Sequence, residues 1–209
     1  MKMVITMKSI QTTVRHEILV NKSLFIGHLI PVRSKDEAMR SYRRIKDEHP
    51  DATHHCYAYV IGHAQNEQKY FDDGEPTRTA GLPMIEVLLK NDLTDVLAVS
   101  VRYYGGIKLG AGGLARAYGK SISETLEEAR YVWLREFQLL KVTIPFDLIG
   151  AVEQPLRDRY TLVNTEYDEN VNYFVQLATD DVKEFRNWMA DQTRGVATIQ
   201  VIKTITAYQ

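Results

Sequence analysis

The chain has 209 residues, 44% hydrophobic and 25% charged, a composition that suits a folded globular protein and not a disordered one. Its formal net charge of -1 removes any argument for nucleic-acid binding from overall charge, so a local patch would have to carry one. A single cysteine, Cys56, excludes an intramolecular disulfide and a cysteine-based metal cluster; no apolar run approaches the roughly 20 residues of a membrane-spanning helix, and a cytoplasmic protein with no membrane contact is expected.

In chain order, Ile10, Thr12, Val14, Ile18 and Val20 alternate as an opening strand does, and Asn21-Lys22 is a weak turn before a second β-rich segment, 23–32. Ser34 with Glu37 reads as a capping box, and Ala38, Tyr42 and Ile45 continue a helical stripe that ends before Pro50. A strand over 56–61 follows, then a polar turn and Lys69-Tyr70-Phe71. Residues 72–81 are a loop by composition, and a helix over 83–89 has Pro83 in its first turn. The nearly continuous apolar run 96–101 predicts a central buried strand. From Gly113 onward Leu114, Tyr118, Ile122 and Leu126 predict a helix, with a short strand over 131–134.

Beyond residue 137 the pattern is strand, helix, strand, strand, helix, strand, the β-α-β-β-α-β order of a split βαβ, ferredoxin-like domain. The expected organisation is therefore α+β, with a larger domain over 1–136 and a small ferredoxin-like domain over 137–209. Acidic residues outnumber basic ones from residue 139 onward, so the excess of basic charge falls in the larger domain.

The stretch from Arg102 to Lys120 stands apart. It holds Gly105, Gly106, Gly110, Gly112 and Gly113 together with Arg102, Lys108, Arg116 and Lys120, and has no acidic residue. Glycine lets backbone approach a ligand closely, and a helix start directs free N–H groups and a positive dipole end at an anion. The same glycines could serve turns and tight packing alone; their coincidence with the cations favours anion binding. Tyr103 and Tyr104 beside the cations could stack on bases.

Two familiar phosphate motifs fail. Gly110-Ala-Gly112-Gly-Leu-Ala115 fits G-x-G-x-x-A, but the segment 102–109 separates it from the preceding strand. Gly113 to Ser121 resembles a P-loop with one residue too many between its glycines. The loop with Asp72, Asp73, Glu75, Thr77 and Thr79 reads as a support. Its carboxylates could orient Arg102 or Lys108, and Thr77 or Thr79 could cap the next helix or bond phosphate. His54, His55 and Cys56 sit on alternating strand faces and do not make a metal site. No catalytic residue, metal or cofactor is assigned.

Three blocks, His54–Gly62 (HHCYAYVIG), Asp72–Pro83 (DDGEPTRTAGLP) and Val101–Gly119 (VRYYGGIKLGAGGLARAYG), resemble the IMPACT/YigZ family, and the likeness covers nearly the whole chain. This chain carries Arg78 where the family's acidic loop usually has glycine. The resemblance implies a larger domain of β-α-β topology, like a ribosomal protein's second domain and a domain of elongation factor G, followed by the ferredoxin-like one. It also implies a link to translation, because the eukaryotic relative regulates translation initiation, with an additional amino-terminal module for which this chain has no room. The expectation is thus a non-enzymatic protein that binds an anion, RNA, the ribosome or a translation factor and regulates translation. The alternative is an enzyme acting on a small phosphorylated or carboxylated substrate held at the glycine-rich loop, with Asp72, Asp73 or Glu75 as metal ligand or base. Oligomeric state is not fixed by the sequence.

Overall fold

The computed structural model describes residues 7–209. They form two compact units, one running to Leu134 and including Tyr208, the other comprising Arg135–Ala207 with Gln209. Both mix helices with largely antiparallel sheet, an α+β protein. Among the described residues no helix is long and apolar enough to cross a membrane.

In the first unit the strands β2 (Val14–Val20), β3 (Ser23–Pro31), β4 (His54–Ile61), β5 (Glu67–Phe71) and β6 (Val96–Tyr103) form a sheet in the order β2-β3-β6-β4-β5. A short β1 (Lys8–Ile10) pairs with the first residues of β7 (Tyr131–Ile144). Asn21 and Lys22 both take left-handed φ, +45° and +65°, which closes β2 onto β3 as a two-residue hairpin.

Helices α2 (Gly81–Lys90) and α3 (Gly110–Glu127) cover one face of the sheet, and α1 (Lys35–Glu48) covers the other. Strand alternation divides the core accordingly. Phe25, Leu29, Cys56, Ala58, Val96 and Ala98 pack with Met84, Leu88, Tyr118 and Ile122, while Ile26, Ile30, Tyr59, Leu97 and Val99 pack with Ala38 and Ile45. With a core on both sides, β6 has no solvent-facing side, and this is why its sequence is a nearly continuous apolar run, broken by Ser100 before Arg102.

The second unit contains the later part of β7, then α4 (Ile149–Arg159), β8 (Thr161–Tyr167), β9 (Val171–Ala178), α5 (Val182–Thr193) and β10 (Thr198–Tyr208). Its strands lie in the order β10-β7-β9-β8. Leu140, Val142, Tyr173 and Val175 on one sheet face bury Val152, Leu156, Phe185 and Met189 from the two helices.

Several boundaries differ from the sequence reading. α3 begins at Gly110 and not Gly113, because glycines of low helix propensity occupy its first turn and mask the start. The segment 131–134 is not a separate strand but the beginning of β7, which continues through the charged pair Arg135-Glu136. At α1 the Ser34 hydroxyl accepts from the Glu37 N–H as expected, at 3.3 Å, but the Glu37 carboxylate returns to the Arg33 N–H, at 2.7 Å, and not to that of Ser34.

Candidate anion-binding site

The site is built where β6 ends. Register sets Arg102 between Phe25 of β3 and His54 of β4, on the side of the sheet covered by α2 and α3. Arg102 is 4% exposed, and four neighbours account for its placement. Nη1 donates to Glu75 Oε1 at 2.6 Å, Nη2 donates to Ser23 Oγ at 3.3 Å, and the guanidinium lies 5.4 Å from the Phe25 ring centre and 5.3 Å from that of Tyr104. The remaining donor, Nε, is buried and has no hydrogen-bond partner among the described residues.

Glu75 Oε1 also accepts from the Tyr118 hydroxyl at 2.7 Å, with His54 Nε2 at 3.8 Å. Burial, followed by the neighbouring Cys56 and Glu75, pushes the Tyr118 hydroxyl far above the ordinary tyrosine range, so it remains a donor. Burial likewise holds the Cys56 thiol well above its usual value, and its Sγ lies 3.0 Å from the Asp72 carbonyl oxygen. The thiol is a core group and not a nucleophile.

Asp72 organises the loop that brings Glu75 here. Its Oδ2 accepts from the Arg78 N–H at 2.9 Å, and its Oδ1 accepts from the N–H groups of Ala80 at 3.1 Å and Gly81 at 2.9 Å. The start of α2 is therefore satisfied by Asp72 from across the loop, and neither Thr77 nor Thr79 caps it. Thr79 Oγ1 instead donates to the Pro76 carbonyl at 2.6 Å, and Thr77 is exposed. Asp73 Oδ2 accepts from the His55 N–H at 2.7 Å. Arg78 takes φ +64°, a left-handed conformation that glycine adopts without strain.

The glycines divide by role. A Cβ at Gly105 would collide with the Lys22 carbonyl at the tip of the β2–β3 hairpin, and the Gly105 N–H donates to Ser23 Oγ at 3.2 Å. Gly106 and Gly110 have φ of +85° and +68° with open space around them, so backbone conformation is what requires glycine there. Gly112 and Gly113 have ordinary helical φ. Position 112 has room for a side chain, and at 113 a Cβ would press on the Leu109 side chain, with its Cβ at 3.1 Å and its Cδ2 at 3.9 Å. The first turn of α3 thus carries bare backbone at Gly112 that the fold does not demand. It holds no acidic residue, and its N-cap, Leu109, supplies no side-chain hydrogen bond.

Two open clefts meet at Leu109. The first, about 250 Å³, is lined by Glu75, Pro76, Arg102, Tyr104, Lys108, Leu109, Gly110, Ala111 and Leu114. The second, about 380 Å³, includes Leu19, Asn21, Gly113, Arg116 and Lys120. The four cations of the segment are therefore unequal. Arg102 is a buried floor group balanced by Glu75, whereas Lys108, Arg116 and Lys120 are exposed, Lys120 only loosely paired with Glu124 at 3.5 Å. The two tyrosines separate as well. Tyr104 is 45% exposed at the first cleft, while Tyr103 faces the α1 side of the sheet, its hydroxyl 2.9 Å from His49 Nδ1.

Residues 21–126 match the Impact N-terminal domain, and residues 142–196 match a domain of unknown function, DUF1949. The IMPACT family member YvyE of Bacillus subtilis is 44% identical over 186 residues, covering 88% of this chain and 86% of its own length. The chain belongs to the IMPACT family. The family member YigZ of Escherichia coli is 34% identical over 88% of this chain and 92% of its own. A crystal structure described as that of a hypothetical protein covers 95% of this chain and 98% of its own, at 32% identity and a TM-score of 0.61.

In this IMPACT family chain the structure adds residues that the sequence did not single out for the site. Tyr118 was readable only as part of the α3 stripe, yet its hydroxyl fixes Glu75. The available signal was a tyrosine on a wholly buried face, where a polar tip must find a partner. Ser23 joins Arg102 to Gly105, and Pro76, Leu109 and Leu114 wall the first cleft; none of these carries a sequence signal of its own.

Proposed function

We propose that this chain is a non-enzymatic RNA-binding protein that acts with the ribosome or a translation factor, and that a single strand lies along the two clefts at the start of α3. One observation carries the reading: Lys108, Arg116 and Lys120 stand exposed beside glycine backbone at a helix start that has neither an acidic residue nor a side-chain cap. Such a surface suits phosphodiester groups at successive positions of a strand. Exposed Tyr104 adds an aromatic face at the same edge.

The enzymatic alternative has less support. Asp72 and Asp73 hold backbone N–H groups, and of the three loop carboxylates only Glu75 lines the cleft, with one oxygen fixed by Arg102 and Tyr118. The β10-β7-β9-β8 strand order supports reading the second unit as ferredoxin-like, which together with the family resemblance favours a place in translation.

The test is fluorescence anisotropy with a labelled single-stranded RNA of about 12 nucleotides. Three phosphate contacts give a slope of log K against log salt of about −2, and replacing Lys108, Arg116 and Lys120 together by alanine lowers affinity at least roughly tenfold at low salt and flattens that slope. Absence of binding, or an unaltered affinity and slope in the triple variant, overturns the proposal.

A further inference from the structure

The sheet of the second unit ends in two edge strands, β8 and β10. A free edge offers a row of backbone N–H and C=O groups to any added strand, and proteins guard such edges with charge, proline, bulges or brevity. β2, β5 and β8 are guarded in this way. β2 carries Arg15, His16 and Glu17 in seven residues, β5 is five residues long with Glu67 and Lys69, and β8 has Glu166 and a break in register between Leu162 and Asn164. β10 is different. It runs for 11 residues, has Lys203 as its sole charge and no proline, and pairs only with β7 among the described residues. Val201 and Ile202 at its middle are 48% and 50% exposed.

The order of residues along β10 indicates what completes it. Residues 198–206 read Thr-Ile-Gln-Val-Ile-Lys-Thr-Ile-Thr, close to a palindrome about Ile202. Exposure is symmetric about the same residue: 200–204 are exposed, 199 and 205 are half-buried, and 198 and 206 are exposed. We infer that β10 pairs antiparallel with β10 of a second copy of this chain, about a two-fold axis at Ile202, so that the two sheets become one. In that register Thr198 faces Thr206, Ile199 faces Ile205, Gln200 faces Thr204, and Ile202 faces its own counterpart. Each pair other than the central one occurs twice, as a two-fold contact requires. An axis through a residue also keeps outward-pointing N–H and C=O groups opposite outward-pointing ones, whichever set points away from β7. Directly opposed Ile–Ile and Thr–Thr pairs stabilise an antiparallel ladder, and Val201 and Ile202 leave water. Lys203 faces Val201, so the two ammonium groups are not directly opposed, whereas an axis one residue later would set them face to face. A strand from a different protein would gain the backbone bonds without this side-chain matching. No residue of either cationic cleft takes part, so the inference is independent of the RNA reading.

The test is light scattering on the full chain from about 5 to 200 μM, a range suited to an interface of modest size. The wild type should pass from the mass of one chain towards that of two. Ile202→Lys, at an exposed position, opposes two charges at the axis and should raise the dissociation constant about tenfold or more with an unchanged circular dichroism spectrum. Ile202→Cys and Thr204→Cys, treated with a short thiol crosslinker, give a second readout. Only Ile202→Cys should yield a covalent dimer, because position 204 faces position 200 and its own counterpart lies four residues further along, about 13 Å away. The native Cys56 is buried and does not compete. A dimer that Ile202→Lys leaves intact, or equal crosslinking at 202 and 204, overturns the proposal. So does a wild type that is monomeric throughout, which would leave the edge to a strand of a different protein.

Discussion

His28 on β3 faces the α1 side of the sheet, 4% exposed, its ring centre 5.8 Å from that of His49 and its Nε2 without a hydrogen-bond partner among the described residues. Burial, then the fields of His49, Arg15 and Arg44, push its pKa down from the usual 6.5 to about 4. His49 is itself lowered, first by its own burial and then by Arg15. The folded protein therefore holds His28 neutral through a range in which the unfolded chain protonates it. Stability is full above pH 6.5, falls as pH drops from there, and has lost this contribution by pH 4, a change of roughly 3 kcal/mol at most. Urea denaturation at pH 7 and pH 4.5 checks this: His28→Leu should show a shallower loss of stability between the two than the wild type. The Glu75–Arg102 pair is a different kind of buried charge. Each partner neutralises the other, so deleting either strands a charge at a cost of about 3–5 kcal/mol.

On the proposed reading, folding and binding make opposite demands on α3. A helix-interior glycine is about 1 kcal/mol worse than alanine, and Gly112 has both the φ and the space for a Cβ. Gly112→Ala should therefore raise the melting temperature by a few degrees, about 1 kcal/mol in stability, while lowering RNA affinity severalfold. Ser123→Ala, on an exposed position later in the same helix, should leave affinity unchanged. Equal affinities for Gly112→Ala and the wild type would mean that this backbone meets no ligand. The same element shows what the sequence could reveal. The stripe from Leu114 to Leu126, the apolar run of β6 and the Ser34 cap were all legible, because periodicity and capping are local. The start of α3 was not, because a helix whose first turn is glycine has no propensity to display. The floor of the cleft was not legible either. Glu75, Arg102, Tyr118 and Ser23 are brought together by strand register and helix packing across a long span of chain, and no spacing rule joins them. Asp72 capped a helix eight and nine residues ahead of itself, beyond any local capping pattern.

At the scale of the whole chain, every residue lining the two clefts belongs to the first unit. Phe185 is fully buried in the second unit, edge-on to Tyr160 at 4.8 Å, and Phe185→Ala should cost that unit about 3–5 kcal/mol. RNA affinity should nonetheless stay within about twofold of wild type, and a larger loss would place part of the binding surface in the second unit. Near the clefts, position 105 has the narrowest tolerance. No side chain fits between it and the Lys22 carbonyl, and Ser23 fastens it to the same hydroxyl that holds Arg102. The path of the chain past the site is consequently closed to gradual revision. What relatives of this protein can alter is the furniture around that path, at Tyr104, Ile107, Lys108 and Arg116, so new ligand preferences within the lineage should arise by exchanging those side chains over an unchanging backbone.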